Sequence, residues 1–261
     1  MIKTFNLESK VILVTGGYGY LGKAITESLV YHGAKVYVLG RSKDKFLRAF
    51  DENIHIDIRL FFNYCDVAET NSIKKAFEYV YQQNNKIDVL INNAVYSKGQ
   101  SPEEMTDDEW NMGIDGVLGS VFRCIREVIP FFKKLNTGNI INVSSMYGLV
   151  APQFEIYNKS PQFLNAPHYG AAKAGIIQLT KYYASYLGVH GINVNTVTPG
   201  PFPSPTVQQH KGFVKELKSK TNLNKIGTPD DLAGAFVFLA SEASAFITGQ
   251  NIIIDGGWTS K

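Results

Sequence analysis

The sequence predicts an α/β fold: a parallel sheet of about seven strands with helices on both faces. Three observations carry that prediction. Short, continuously apolar runs recur along the chain, and helical patterns fill the intervals. Runs of this kind are strands buried on both faces, the environment of a parallel sheet. A glycine cluster follows the first run directly. Sheets of this class bind ligands beyond the carboxyl ends of their strands, so those ends are where a site is expected.

The elements follow in order. Val11-Ile-Leu-Val-Thr15 is the first strand, and a helix is expected over 22–32. Val36–Leu39 and Leu60–Tyr64 are the next strands, with Asp66 just past the second. A helix over 70–84 leads to the strand Asp88–Asn93, and one long helix is expected over 106–134. The strand Asn139–Ser144, a helix over 168–189 and the strand Ile192–Val197 come next. Thr228-Pro-Asp-Asp-Leu reads as a capping threonine with proline at the first helical position, opening a helix over 229–241. The strand Asn251–Ile254 is last. Thr15, Asn92, Ser145 and Pro199 all fall at or just after strand ends, on one rim.

Bulk properties narrow the possibilities. The 261 residues, 44% of them hydrophobic, are enough for one large core. No repeat, linker or low-complexity block divides the chain, so a single domain over 1–261 is expected. A net charge of +3 is too mild to imply nucleic acid or an anionic membrane. No apolar stretch is long enough to span a bilayer, and Met1–Lys10 lacks a signal-peptide core. Two cysteines, Cys65 and Cys124, have no metal-ligand spacing, so no metal is expected, and such sparse cysteine suits a reducing cytoplasm. Cys124 lies in an apolar helical pattern that suits packing.

The glycine cluster reads as a nucleotide turn. In Thr15-Gly-Gly-Tyr-Gly-Tyr-Leu-Gly22, the residues Gly16, Gly19 and Gly22 allow a tight turn, close phosphate approach and helix–strand packing. The helix that follows offers its N-terminus to a pyrophosphate. Tyr18, Tyr20 and Leu21 lie within the turn and are expected to line the nucleotide. The second strand ends in Gly40-Arg41-Ser42-Lys43, where an NAD site usually has a carboxylate. A guanidinium binds the 2′-phosphate that a carboxylate would repel, so Arg41, with Ser42, favours NADP(H) over NAD. The competing reading of Arg41 and Lys43 is a solvated loop. Asp66 has two readings, a hydrogen bond to adenine or a local helix cap; Val67 follows it.

Tyr169-Gly-Ala-Ala-Lys173 adds chemistry to the nucleotide turn. Residues four apart share a helix face, so phenol and ammonium point into the same site. A nearby cation favours the ionised phenol and pulls its pKa toward the working range. A tyrosine that trades protons near neutrality is what a carbonyl needs as a hydride arrives.

Together these residues resemble the short-chain dehydrogenase/reductase family. The resemblance runs from about Lys10 to Trp258. Its carriers are the glycine turn, Asn92-Asn-Ala94, Asn142-Val-Ser-Ser145, Tyr169-Gly-Ala-Ala-Lys173, Pro199-Gly200 and the Thr248–Gly257 run. It implies a Rossmann-like doubly wound sheet, nicotinamide-dependent hydride transfer, and commonly a homotetramer or homodimer. By that resemblance, Tyr169 is the proton donor to a carbonyl or acceptor from an alcohol. Lys173 lowers the tyrosine pKa and binds the nicotinamide ribose, and Ser145 holds the substrate oxygen. Ser145 is preferred to Ser144 because Met146-Tyr-Gly148 follows it, and because strand alternation sends the two side chains to opposite faces. Asn93, Ala94, Pro199, Gly200 and Phe202 are expected along the cofactor.

Two departures from the family pattern stand out. Val117 occupies the place where many relatives carry a relay asparagine in the long helix; neighbouring Asp115 is given no role. Ser145 and Tyr169 are 24 residues apart, about twice the usual separation. The extra segment, 149–168, is expected to overhang the substrate with Phe154, Tyr157 and Phe163 among polar groups; a subunit contact is its other reading. A second lid is expected from the proline-rich run Pro199–Thr206 and a helical segment over 208–223, where His210 and Lys211 read as solvated lid residues, with contact to an acidic substrate group as the other reading. The Trp258 tail resembles a subunit-contact segment.

The expected function is interconversion of a ketone and a secondary alcohol on a sugar or sugar acid, similar to gluconate 5-dehydrogenase-like and bacterial surface-sugar or flagellin-modification oxidoreductases. A 3-oxoacyl thioester is the alternative substrate. A nucleotide-binding regulator without turnover is the alternative from another class, and the intact Ser145, Tyr169 and Lys173 speak against it.

Overall fold

The computed structural model describes residues 5–50 and 58–260; the first four residues of the N-terminal segment read above lie outside that range. Seven parallel strands form one sheet in the order β3-β2-β1-β4-β5-β6-β7. They are β1 (Val11–Thr15), β2 (Lys35–Gly40), β3 (Leu60–Tyr64), β4 (Val89–Asn92), β5 (Gly138–Val143), β6 (Ile192–Pro199) and β7 (Asn251–Ile254). Every expected strand is present. The order reverses between β1 and β4, which leaves a crevice at their carboxyl ends.

Strand alternation divides the core into two layers. Leu13, Leu90, Ile140 and Val194 face one side, under α3 (Thr70–Asn84), α5 (Ser120–Leu135) and α6 (Pro167–Leu187). Ile12, Val14, Val89, Ile91 and Ile141 face the other, under α1 (Tyr20–Tyr31), α2 (Lys43–Phe50) and α9 (Pro229–Ala240). Burial on both faces explains why the strands read as unbroken apolar runs. The Thr228 cap is present as a reciprocal capping box with Asp231.

Two helical expectations change. The helix α2 was missed, because only Phe46 and Phe50 mark its buried face amid charged residues. Their rings meet at 5.1 Å. The single helix over 106–134 is instead α4 (Asp107–Ile114), a π-helical turn (Asp115–Gly119) and α5. Val117 lies within that turn, buried in the core.

The 149–168 segment is a compact run of short 3₁₀ turns, at Phe154–Tyr157 and Pro161–Phe163. Only Phe163 of its expected aromatic face borders the cavity beside Tyr169. Tyr157 and Phe163 pack on Phe213 of α8 (Lys211–Lys220), with ring centroids 5.8 and 4.7 Å apart, whereas Phe154 is exposed. Trp258 is buried in the same cluster, so the tail is anchored within its own chain. The insertion and the second lid are therefore one packed unit.

The close packing of the glycine turn gives a test. A Cβ at Gly22 would lie 2.3 Å from the carbonyl oxygen of Gly16. Gly22→Ala is expected to cost about 1–3 kcal/mol by backbone displacement, read from urea unfolding midpoints. An unchanged midpoint would show that the turn yields freely.

Candidate active site

The crevice at the β1/β4 switch opens into a groove of about 480 Å³. Its floor is the glycine turn. Gly16 adopts φ +64°, its N–H donates to Leu39 O, and its carbonyl accepts from Gly19 N at 2.9 Å. Asn93 Nδ2 donates to the carbonyls of Thr15 and Gly16, each at 3.1 Å. In return, Thr15 Oγ1 accepts from the amides of Asn93 and Ala94 at 2.9 and 3.0 Å. These reciprocal bonds hold the end of β1 against the end of β4. Asn92 is buried away from the groove and donates to Asn142 at 2.8 Å.

At the end of β2, the ring of Tyr18 lies over Gly40. A Cβ on Gly40 would fall 2.5 Å from Tyr18 Cε1, so a side chain there would require the Tyr18 ring to move. The Tyr18 hydroxyl accepts from Arg41 N at 3.2 Å. The Arg41 guanidinium is mostly exposed at the groove edge, 3.9 Å from Asp66 Oδ2. The other Asp66 oxygen, Oδ1, accepts from Ala68 N at 3.0 Å in a local turn, and α3 begins beyond it, after Glu69.

Of the expected nucleotide contacts, Gly16, Tyr18, Gly19, Tyr20 and Leu21 line the groove, as do Arg41, Asp66 and Val67. Asn93, Ala94, Pro199, Gly200 and Phe202 complete the far wall. Ser42 does not line it; its Oγ accepts from Lys45 N at the start of α2. Lys45, Val95 and Tyr96 are lining residues that sequence reasoning missed. Lys45 lies on α2, the helix that the apolar pattern does not mark.

Ser145, Tyr169 and Lys173 converge at the inner end of the groove. Proline opens α6, and Tyr169 and Lys173 then sit one turn apart. Lys173 Nζ donates to Val143 O at 2.7 Å and lies 5.5 Å from the centre of the Tyr169 ring. Ser145 hydrogen-bonds the Tyr169 phenol. Ser144 is turned away and donates to the Lys173 carbonyl at 2.8 Å. Gly148 permits the contact between this turn and α6, since a Cβ there would lie 2.7 Å from the Lys173 carbonyl carbon.

The electrostatics differ from the expectation that Lys173 draws the phenol pKa down. Burial pushes the Tyr169 phenol above its usual value, and the hydrogen bond from Ser145 opposes this. Burial also lowers the Lys173 ammonium to about 7. A lysine half-neutral near pH 7 exerts only part of the pull assigned to it. On the other side of Tyr169, a second cavity of about 500 Å³ is lined by Ser97–Gln100, Glu109, Phe163–Ala166 and His168. Gln100 Nε2 closes one edge by donating to the carbonyls of Gln162 and Leu164, both at 2.8 Å.

The buried lysine makes stability depend on pH. Its pKa is about 7 in the fold, against about 10.4 in the unfolded chain. Between these values the unfolded state holds a proton that the folded state lacks, so this contribution to stability rises with pH. Below the lower value both states are protonated, and the burial cost is complete. The unfolding free energy of Lys173→Met minus that of wild type should therefore fall by about 4 kcal/mol as pH rises through this window. A difference independent of pH in urea titrations would refute the buried neutral amine.

Known proteins carry the same architecture. The family model described as Enoyl-(Acyl carrier protein) reductase matches residues 20–259. The chain is 34% identical to the 3-oxoacyl-(acyl-carrier-protein) reductase FabG of Thermotoga maritima, over 96% of this chain and 98% of that one. A short chain dehydrogenase from Leptospira borgpetersenii, solved with bound NAD+, is 32% identical with a TM-score of 0.87, covering 99% of this chain and 97% of that one. A gluconate 5-dehydrogenase from Burkholderia cenocepacia, in complex with NADP and tartrate, superposes with a TM-score of 0.88 at 26% identity, covering 99% and 98%. With that coverage and identity, and with the motifs meeting in one groove, the chain belongs to the short-chain dehydrogenase/reductase family of oxidoreductases.

Proposed function

We propose that this protein is an NADP(H)-dependent oxidoreductase that interconverts a ketone and a secondary alcohol on a sugar or sugar acid. The observation that carries the cofactor reading is Tyr18 over Gly40. Gly40 offers no carboxylate to the ribose, the Tyr18 ring covers it, and Arg41 and Lys45 stand at the groove edge. The groove suits a dinucleotide, because the glycine turn leaves backbone open to a pyrophosphate and Asn93 fixes its shape. Bound there, the nicotinamide would supply or accept the hydride.

The chain's own residues manage the oxygen. Ser145 positions it by hydrogen bonding, and Tyr169 gives or takes its proton. A phenol held protonated by burial suits the donor role in reduction. Lys173 charges on proton uptake and, when charged, favours the tyrosinate that forms. The substrate occupies the cavity beyond Tyr169, where Ser97, Gln100, Glu109 and Asn165 offer hydrogen-bonding groups to a polyhydroxylated molecule. We assign the protein to the cytoplasm as a single nucleotide-binding domain that forms a homodimer or homotetramer. Phe122, Tyr182 and Tyr186, exposed on α5 and α6, support the oligomer. A 3-oxoacyl thioester is the second reading, favoured by the identity to the Thermotoga maritima reductase.

A spectrophotometric assay at about 340 nm, where reduced nicotinamide absorbs, separates these readings. NADPH oxidation is expected with keto-sugars or keto-sugar acids and not with an acetoacetyl thioester; turnover with the thioester alone would transfer the protein to the second reading. Tyr169→Phe should lower the rate about 10²–10⁴-fold. Arg41→Ala should raise KM for NADPH about tenfold and leave KM for NADH unchanged. An equal effect on both cofactors would remove Arg41 from 2′-phosphate recognition.

A further inference from the structure

Asp115, Arg123 and Tyr96 form a bonded cluster behind the nucleotide groove, outside the Ser145–Tyr169–Lys173 site. Arg123 Nη1 and Nη2 donate to the two Asp115 carboxylate oxygens at 2.6 and 3.0 Å. Its Nη2 also lies 3.3 Å from the Tyr96 hydroxyl, and its Nε donates to Val67 O at 3.0 Å. The Tyr96 hydroxyl donates to Asp115 in a short hydrogen bond. One guanidinium therefore ties together the loop after β3, the loop after β4 and the π turn. Val67 and Tyr96 both line the groove, on the segments that follow those two strands.

The π turn explains why this cluster exists. Two turns of α-helix take about 7.2 residues, so residues 115 and 123 would be out of line on a regular helix. The wider turn at Asp115–Gly119 absorbs the excess and sets carboxylate and guanidinium in register. Gly116 in that turn lies against the Tyr96 backbone, where a Cβ would fall within van der Waals overlap of the Tyr96 carbonyl. The charges suit a fixed brace. The Arg123 hydrogen bonds hold the Asp115 carboxyl below its usual range, and burial, with Asp115 beside it, raises the Tyr96 phenol to about 12. The phenol thus remains a donor and the carboxylate an acceptor. The bonds are charge-assisted, and the guanidinium is largely buried while the Asp115 carboxylate is partly open to solvent.

We infer that Arg123, acting through Asp115 and Tyr96, is a positioning residue for the dinucleotide: it sets the spacing of the two groove walls contributed by Val67 and Tyr96. The inference rests on the dinucleotide reading of the groove.

Binding of NADP+ and NADPH to the purified full chain, followed by fluorescence titration, tests it. Arg123→Met should raise Kd about tenfold, the equivalent of one charge-assisted hydrogen bond. Tyr96→Phe and Asp115→Asn remove only polar contacts and should raise Kd in the same direction. At saturating cofactor, kcat of Arg123→Met and of Asp115→Asn should stay within about twofold of wild type, since the reacting groups are untouched. The double variant Tyr96→Phe/Arg123→Met should bind no more weakly than Arg123→Met alone, because the two groups act as one unit. Arg123→Lys, which keeps the charge but not the three-way reach, should recover part of the affinity. If Arg123→Met does not fold, Tyr96→Phe and Asp115→Asn decide the question. Kd unchanged in both, or kcat of Asp115→Asn falling as its Kd rises, overturns the inference. Wild-type protein that binds neither dinucleotide overturns the cofactor reading and this inference with it; wild-type binding with unaffected variants overturns this inference alone.

Discussion

The close approach of the glycine turn to the end of β4 is the constraint on which the rest of the site depends. The reversal of strand order makes a crevice there, but a crevice alone has no defined shape. Thr15 and Asn93 give it one by exchanging hydrogen bonds across it, side chain to backbone in both directions. Every donor used in this way is a buried or half-buried amide that would otherwise need water. The arrangement leaves no room for side chains at the turn, and Gly16 and Gly22 meet that demand. From this anchor, β1 fixes the start of α1, and β4 fixes the loop that carries Tyr96. The cluster built on Arg123 extends the same wall toward β3.

The inner end of the groove depends on burial. Tyr169 and Lys173 are placed where water is scarce, so each charged form is disfavoured. The hydrogen bond from Ser145 is what works against this for the phenol. The lysine's link is to a backbone carbonyl, which both its neutral and its charged form can use. That leaves Lys173 free to titrate near neutrality without losing its position. A group that changes charge and keeps its place suits proton traffic in the proposed reaction better than a permanently charged one.

Much of this was legible in the sequence, for physical reasons that can be named. The strands were readable because burial on both faces leaves an unbroken apolar run. The turn was readable because it demands glycine at two places, for a φ of +64° at Gly16 and for a Cβ approach of 2.3 Å at Gly22. The places where reading failed are equally specific. Helix α2 presents two phenylalanines among charges, too weak a period to stand out. The π turn has no compositional mark, because Asp115-Gly-Val-Leu-Gly119 continues the apolar spacing of the flanking helices. Asp115 thus had no partner until the register shift placed Arg123 beside it. The aromatics of the 149–168 segment were visible, but their direction was not, since that depends on a helix some fifty residues later in the chain.

That direction changes how the substrate side is built. Tyr157 and Phe163 are committed to Phe213, and the Tyr157 hydroxyl is paired with Tyr147 at 2.7 Å. Glu155 reaches Lys220 on the same helix. The insertion is consequently a wall fastened to α8, and the two share an apolar centre with Met146, directly after Ser145, and Trp258. Movement of either lid element would pull on the other and on the turn that bears Ser145. The cavity beyond Tyr169 is lined by Phe163, Leu164 and Ala166 together with Ser97, Gln100, Glu109 and Asn165. Gln100 and Glu109 already bond within the chain, so an acyl chain entering there would desolvate chiefly Ser97 and Asn165, at a cost of about 1–3 kcal/mol each. Hydroxyl groups of a sugar would satisfy them. The physical case for a polar substrate therefore rests on these polar side chains, which share the cavity with the apolar face of Phe163.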